Sequence, residues 1–297
     1  VLSQAWLLAF RFSRAFTIIE DLTKNLEYKV QARTTELETE RNRLRQQGER
    51  LQKELEMART IQMQMIPSSS PSPSIAFFYQ PMEEVGGDFL DFIPLEDDSL
   101  GVIVSDVSGH GVPAALITSM VKSHIQQTGG RAENPGRMLH TLNGQLSQRT
   151  GGNFVTAFYG ILDKDRQEMT YASAGHNHPL IITPRGEVHA LDSGIRRLPL
   201  AVLHNFELPS GEGYWKSSRV QLAPGSKLLL YTDGLVEAVN LHDAESGDFE
   251  TMAMSAVLGD LANLPARECV NALVEALRTF RGAATFDDDV CIVCIDI

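Results

Sequence analysis

Residues 154–184, FVTAFYGILDKDRQEMTYASAGHNHPLIITP, contain three apolar runs (154–163, 168–175 and 179–184) that are separated only by short polar or glycine-containing turns. Each run is rich in β-branched and aromatic residues, which is typical of a strand. Strands that follow one another without a crossover helix favour antiparallel pairing. This stretch therefore predicts antiparallel sheets rather than a doubly wound parallel sheet.

The same strand pattern continues on both sides of this stretch, at 75–82, 88–95, 100–107, 227–234 and 289–297. Three amphipathic patterns predict helices that begin near Pro113, Pro135 and Pro265. Two sheets packed back to back, with the helices outside, would bury one face of each strand and cover the other. We therefore predict an α+β fold.

The N-terminal part has a different composition. From residue 18 to 66 there is no proline and only one glycine, and Val30, Leu37, Leu44 and Leu51 recur every seven residues. This predicts a long helix, but the second apolar position of each heptad is mostly polar, so a coiled coil would pair weakly. The helix is either a plain spacer or a marginal dimer that transmits a signal; we favour the signalling interpretation.

Pro67 ends that helix, and PSSSPSPS is typical of a linker, so we predict a helical segment at 1–66, a linker at 67–74 and a catalytic domain at 75–297. Residues 1–10 are apolar but too short to cross a bilayer, and basic residues follow them. We expect the cytoplasmic end of a membrane helix here. The alternative is an ordinary amphipathic helix start.

Charge is unevenly distributed along the chain. The net charge is −12; residues 1–66 hold 11 basic and 9 acidic residues, and the remainder holds 15 and 29. An acidic catalytic part would repel a polyanion, which argues against nucleic acid as substrate or partner, although an acidic surface also simply keeps proteins soluble. The three cysteines indicate a reducing compartment. Cys291 and Cys294 lie in an apolar strand, where we expect core packing.

Four acidic motifs carry the chemistry: VGGDFLDF around Asp88, SDVSGHG around Asp106, YTDGLVEA around Asp233, and TFDDDV at 285–290. Glycines beside these aspartates let the backbone bend sharply next to a ligand, and the Val107 carbonyl could then share the space of the Asp106 carboxylate. If the motifs converge, the site is all-oxygen, which suits Mg²⁺ or Mn²⁺. Two such ions would activate a water for attack on phosphorus, without a protein nucleophile.

Three histidines are candidate proton donors. His110 follows Asp106 in the glycine-rich turn, while His176 and His178 lie in AGHNHP. Such histidines also commonly satisfy the backbone groups of a turn, and His110 is the strongest catalytic candidate of the three.

Seven motifs occur together in one order: ARTIQMQMIP, VGGDFLDF, SDVSGHG, FVTAFYGILD, AGHNHPL, LLLYTDGLVEA and DDDV. Over about residues 55–297 they resemble the RsbU/SpoIIE-like branch of the metal-dependent PPM serine/threonine protein phosphatases. The resemblance implies an α-β-β-α sandwich and hydrolysis of phosphoserine or phosphothreonine on a STAS-type anti-sigma-factor antagonist. The N-terminal helix resembles the linker that dimerises and relays an upstream signal in this family.

The resemblance also implies particular site residues. By motif position Asp88, Asp106, Asp233 and Asp288 look like ligands of two Mn²⁺ or Mg²⁺ ions, and Val107 looks like a ligand through its backbone carbonyl. The run Asp287-Asp288-Asp289 leaves the fourth ligand open by one position; Asp288 is chosen because the family's acidic pair stands two residues before the position that Cys291 occupies.

Residues 25–38, NLEYKVQARTTELE, resemble the segment after the last span of bacterial seven-transmembrane signalling receptors. This implies the cytoplasmic domain of a membrane-anchored bacterial signalling protein with an upstream sensor. Two alternatives are a catalytically silent STAS-binding relay module and a metal-dependent phosphodiesterase acting on small nucleotides. The intact set of carboxylates speaks against the first, and the absence of an obvious base-stacking pocket speaks weakly against the second.

Overall fold

The computed structural model describes residues 2–95, 98–128, 134–163, 165, 167–191, 198–209, 213–243 and 247–297, without the side chains of residues 2–5, 7 and 8. It divides into two compact units, Val1–Glu56 and Met57–Ile297. Helix α1 spans Leu2–Met63, so its last turns belong to the second unit. The division falls earlier than the boundary that we predicted at residue 66.

The second unit contains two five-stranded sheets in which every strand pair is antiparallel. The first sheet has the order β1-β10-β9-β6-β7, formed by Ile75–Gln80, Val290–Asp296, Lys227–Tyr231, Leu180–Ile182 and Val188–Ala190. The second has the order β2-β3-β4-β5-β8, formed by Phe89–Pro94, Leu100–Val107, Val155–Asp163, Glu168–Ala174 and Ser218–Gln221. The predicted antiparallel α+β fold is confirmed.

Helices cover both sheets. Helices α2 (Val112–Thr128) and α3 (Pro135–Leu146) pack on the second sheet, and α6 (Ala266–Arg281) packs on β1 and β10. Two short helices, α4 (Asp233–Val236) and α5 (Ser255–Asp260), complete the layer beside the first sheet, with a π-helical turn at Glu250–Met254; a 3₁₀ turn at Asn205–Glu207 contacts α3.

The central strands β9 and β10 of the first sheet are buried on both faces, because their side chains alternate between two cores. On β10, Cys291 and Val293 belong to the core shared with the second sheet, whereas Ile292 and Cys294 pack against the α6 side. Cys291 and Cys294 therefore point to opposite faces of one strand and cannot bind one ion together. Both are buried free thiols, as the core-packing prediction requires.

The predicted strands and helices all occur, and the short helices α4 and α5 were not predicted. The short strands β7 and β8 were not predicted, and they lie at sheet edges where half or more of each strand is exposed to solvent. Strand β9 ends at Tyr231, so Asp233 is the first residue of α4 rather than the end of a strand. Among the described residues, no helix is both long and apolar enough to pass through a membrane.

Candidate metal centre

The four predicted aspartates lie at or next to the ends of strands in both sheets. Asp88 directly precedes β2, and Asp106 lies near the end of β3 in the same sheet. Asp233 follows β9, and Asp288 stands two residues before β10 in the other sheet. The site therefore lies where one end of the first sheet meets one end of the second.

Asp88 is the most deeply buried of the four, with 1% of its surface exposed. The Thr232 hydroxyl donates a hydrogen bond of 2.6 Å to Asp88 Oδ2 and accepts one of 3.0 Å from the Cys291 amide. Burial raises the pKa of Asp88 well above its usual value, and the charges of Asp106 and Asp289 raise it further, while the Thr232 bond acts in the opposite direction. Thr232 thus supplies part of the solvation that burial removes.

Burial and neighbouring acidic groups also raise the pKa of the other three carboxylates. Burial, followed by the charges of Asp233 and Asp288, raises the pKa of Asp106 to about 7. Burial and then Glu237 raise the pKa of Asp233. Burial raises the pKa of Asp288, with Asp233 adding to the effect and the Asp289 amide opposing it. The four predicted side chains therefore share one electrostatic environment, although they are far apart in sequence.

The donor set fits a hard divalent cation. Among the described residues, no three His, Cys, Asp or Glu side chains are grouped closely enough to hold an ion by themselves. The carboxylates nevertheless repel one another at short range in a partly buried site, and that repulsion is what a divalent cation would cancel. Carboxylate and carbonyl oxygens are the ligands that Mg²⁺ and Mn²⁺ prefer.

Val107 presents its carbonyl to the loop that carries Asp88. A Cβ added at Gly87 would lie 2.8 Å from the Val107 oxygen, so only glycine permits this approach. The Thr118 hydroxyl of α2 donates a 3.0 Å hydrogen bond to the Gly87 carbonyl on the same loop. The predicted carbonyl ligand is therefore next to the Asp88 loop.

The three consecutive aspartates before β10 have different partners. Arg281 binds both oxygens of Asp287, at 2.6 and 2.8 Å, and lowers its pKa. Asp289 accepts hydrogen bonds from the amides of Met82 and Gly87, at 2.7 and 2.6 Å, and a longer one of 3.3 Å from Asp88. Asp288 accepts a 2.7 Å hydrogen bond from its neighbour's amide, and the charges of Asp233 and Asp289 raise its pKa. This geometry favours Asp288 as the metal ligand of the three.

The predicted histidines lie in different environments. His110 is exposed, its Nδ1 is 3.3 Å from Glu83 Oε1, and its charge lowers the pKa of Asp288, so it stands at the edge of the site. His176 is buried, its Nδ1 is 2.8 Å from the Thr156 hydroxyl, and burial lowers its pKa to about 4. His176 is therefore neutral near pH 7. His178 is half-buried.

Sequence reasoning did not single out Thr232 or Gln62, and it considered Asp289 only as an alternative metal ligand. Thr232 directly precedes the predicted ligand Asp233 in YTDG. A hydroxyl at this position could have been recognised as a hydrogen-bond donor to a site carboxylate. The hydrogen bonds of Asp289 depend on a loop 201 residues away in sequence, which no local pattern reveals. Gln62 lies within the motif ARTIQMQMIP, but the motif does not show which of its side chains contacts the Asp88 loop.

The fold is that of a known class of enzymes. The SiaA-PP2C domain of Pseudomonas aeruginosa superposes with a TM-score of 0.70 at 24% identity, covering 84% of this chain and 98% of that one. The second unit thus has the PP2C fold.

The sequence profile described as Stage II sporulation protein E (SpoIIE) matches residues 96–297, and the chain belongs to this family. Two relatives from Bacillus subtilis (strain 168) are named phosphoserine phosphatases. RsbU is 24% identical over 258 residues, covering 86% of this chain and 73% of RsbU. RsbP is 25% identical over 252 residues, covering 82% of this chain but only 58% of RsbP. The family is that of the metal-dependent PP2C-type protein phosphatases, which agrees with the carboxylate site.

Proposed function

We propose that this chain is a metal-dependent phosphatase that removes phosphate from a phosphorylated serine or threonine of a STAS-type anti-sigma-factor antagonist. One observation carries the metal-dependent part: Asp88, Asp106, Asp233 and Asp288 occupy one partly buried site, where burial raises the pKa of each and the charges of neighbouring acidic groups raise it further. The names of the relatives RsbU and RsbP support the phosphoserine class of substrate.

In this proposal the four carboxylates and the Val107 carbonyl hold two ions of Mn²⁺ or Mg²⁺. Such cations lower the pKa of a water and neutralise phosphate oxygens during in-line displacement. Thr232 fixes the direction of the Asp88 carboxylate through its 2.6 Å hydrogen bond. Without cations, this acidic site would repel a phosphate dianion, so metal binding must precede substrate binding.

His110 is the proton donor that the geometry favours. It is exposed at the edge of the site, where a phosphorylated partner would approach, and its Nδ1 lies 3.3 Å from Glu83 Oε1. A protonated His110 at this position would donate to the leaving serine or threonine oxygen. His176 is a weaker candidate, because its lowered pKa keeps it neutral.

We also propose that residues 18–66 form a homodimeric coiled coil that regulates the phosphatase. Val30, Leu37, Leu44 and Leu51 recur every seven residues and are exposed by 56%, 69%, 59% and 57% in the single chain. Apolar side chains at this period are expected to meet the same side chains of a second copy. The resemblance of residues 25–38 to a receptor segment supports an upstream membrane sensor and a cytoplasmic location.

The test is phosphate release from an aryl phosphate and from a phosphoserine STAS protein, in Mn²⁺ and then in excess chelator. We expect release that requires the metal, and a loss of several orders of magnitude in Asp106→Asn and in Asp233→Asn. Asp260→Asn, at an exposed position on α5, is the matched control and should release phosphate at the normal rate.

Release that persists in chelator, or near-normal rates in both site variants, would contradict the proposal. Binding of the phosphoprotein without any release in Mn²⁺ would instead support the silent relay module.

A further inference from the structure

Gln62, in the last turn of α1, makes a two-point contact with the loop that carries Asp88. Its Nε2 donates a 2.6 Å hydrogen bond to the Gly86 carbonyl, and its Oε1 accepts a 3.0 Å hydrogen bond from the Gly86 amide. Only 3% of the Gln62 surface is exposed, so water does not compete for these bonds. A primary amide is suited to this task, because it offers a donor and an acceptor side by side.

The peptide group between Gly86 and Gly87 is thereby held at both ends. Gln62 binds its carbonyl oxygen, and Asp289 Oδ2 accepts its N–H at 2.6 Å. The same carboxylate oxygen also accepts the Asp88 amide at 3.3 Å. Rotation of this peptide would break a hydrogen bond on each side, so its orientation is fixed by one group from α1 and one from the turn before β10.

The two glycines show how closely the loop is enclosed. A Cβ at Gly86 would collide with the Asp289 carboxylate, and a Cβ at Gly87 would lie 2.8 Å from the Val107 oxygen. The loop therefore has no side chains of its own with which to hold its shape here. Its conformation depends on the groups that surround it, among which Gln62 supplies the bonds to Gly86.

We propose that Gln62 is a positioning residue for the metal site. Gln62 fixes the orientation of the Gly86–Gly87 peptide and therefore the backbone position of Asp88. This keeps the Asp88 carboxylate 2.6 Å from the Thr232 hydroxyl. Gln62 acts through Gly86 and does not itself bind metal or substrate. Its effect on phosphate release rests on the proposed function, whereas its effect on the loop and on metal affinity does not.

A neighbouring contact supports this geometry. Arg59, one turn earlier on α1, lies 3.3 Å from Glu84 on the same loop, and Ile66 is buried in the core beneath the end of the helix. The surface pair alone contributes little, since both side chains are substantially exposed. Of these two contacts, the buried Gln62 contact is therefore the stronger link between this end of α1 and the loop.

The experiment compares Gln62→Met with Gln64→Met in the full chain. Methionine keeps the length and helix propensity of glutamine but makes neither hydrogen bond; Gln64 is exposed, so its variant is the matched control. The first readout is Mn²⁺ affinity by titration calorimetry. The second is amide hydrogen exchange at Gly86, Gly87 and Asp88.

We expect Gln62→Met to bind Mn²⁺ about tenfold or more weakly than the wild type, as is typical when a group that orients a metal ligand is lost. Exchange should accelerate at Gly87 and Asp88, whose amides do not contact Gln62, and Gln64→Met should match the wild type in both readouts. If Gln62→Met does not fold, Gln62→Asn is used, because its shorter side chain cannot span both groups of Gly86.

The proposal is overturned if the folded Gln62 variant binds Mn²⁺ as the control does, or if faster exchange is confined to Gly86. Neither readout requires turnover. A wild type that releases no phosphate would thus refute the proposed function, while the Gln62 comparison would still decide whether this side chain holds the loop.

Discussion

The raised pKa of Asp106 has a consequence for stability that can be calculated. Burial and the neighbouring Asp233 and Asp288 carboxylates move this pKa from 3.8 to about 7. Ionisation of Asp106 therefore opposes folding: the penalty is absent below pH 3.8, grows by about 1.4 kcal/mol per pH unit, and is complete above about pH 7. Its full size is about 4 kcal/mol, of which about 2 kcal/mol accrues between pH 5.5 and 8.

Asp106→Asn removes this penalty, because asparagine has nearly the same shape and does not ionise. In excess chelator Asp106 alone should contribute about 2 kcal/mol to the loss of unfolding free energy between pH 5.5 and 8, or roughly 4–8 °C in Tm for a domain of this size. The other buried carboxylates add to the loss in the wild type, and Asp106→Asn should lose about 2 kcal/mol less than the wild type over the same pH range. The assay is thermal and urea unfolding at both pH values, with Asp260→Asn as the control that retains the wild-type dependence.

Adding Mn²⁺ at pH 8 should raise the Tm of the wild type and of Asp260→Asn, because the cation binds the folded state and neutralises the repulsion. Asp106→Asn should gain much less. If Asp106→Asn in chelator shows the same fall in stability with rising pH as the wild type, the reasoning about shared repulsion at this site is wrong.

Three further predictions concern other parts of the molecule. Asp287→Asn should cost about 3 kcal/mol in urea unfolding, because it leaves the buried Arg281 guanidinium without its charged partner; Arg281→Met should cost less, and the reverse order would contradict this account. Gly86→Ala should weaken Mn²⁺ binding severely, since the new Cβ collides with the Asp289 carboxylate; an unchanged calorimetric affinity would count against the enclosed loop. Leu44→Lys should shift sedimentation towards monomer, unless the helix does not pair through its heptad positions.

The fold was predictable because most of its strands are buried on at least one face and carry a strong apolar signal. Strand β4 and its neighbours in the second sheet are adjacent in sequence, which favours antiparallel pairing directly. Strands β7 and β8 escaped prediction because an edge strand of three or four residues has little apolar pattern. Strand β6 follows β5 in sequence but pairs with β9 in the other sheet. This pairing could not be predicted, because it depends on contacts distant in sequence.

The candidate site was predictable in kind but less so in detail. Glycines beside Asp88, Asp106 and Asp233 indicated a ligand site, and the structure brings these side chains into one environment. The different partners of Asp287 and Asp289 could not be inferred locally, because one depends on Arg281 in α6 and the other on backbone amides at Met82–Asp88. The metal ligands themselves remain a prediction that awaits the measurements above.

The position of β10 in the first sheet has a consequence for biosynthesis. This strand spans Val290–Asp296 and lies between β1 and β9, where it supplies the hydrogen-bonding partners of both. The ribosome must therefore release residue 296 from its exit tunnel before β1 can find its only strand neighbour in the described sheet. Before β10 is released, the nascent phosphatase domain exposes apolar strand edges. Chaperones and proteases can bind the chain during this period.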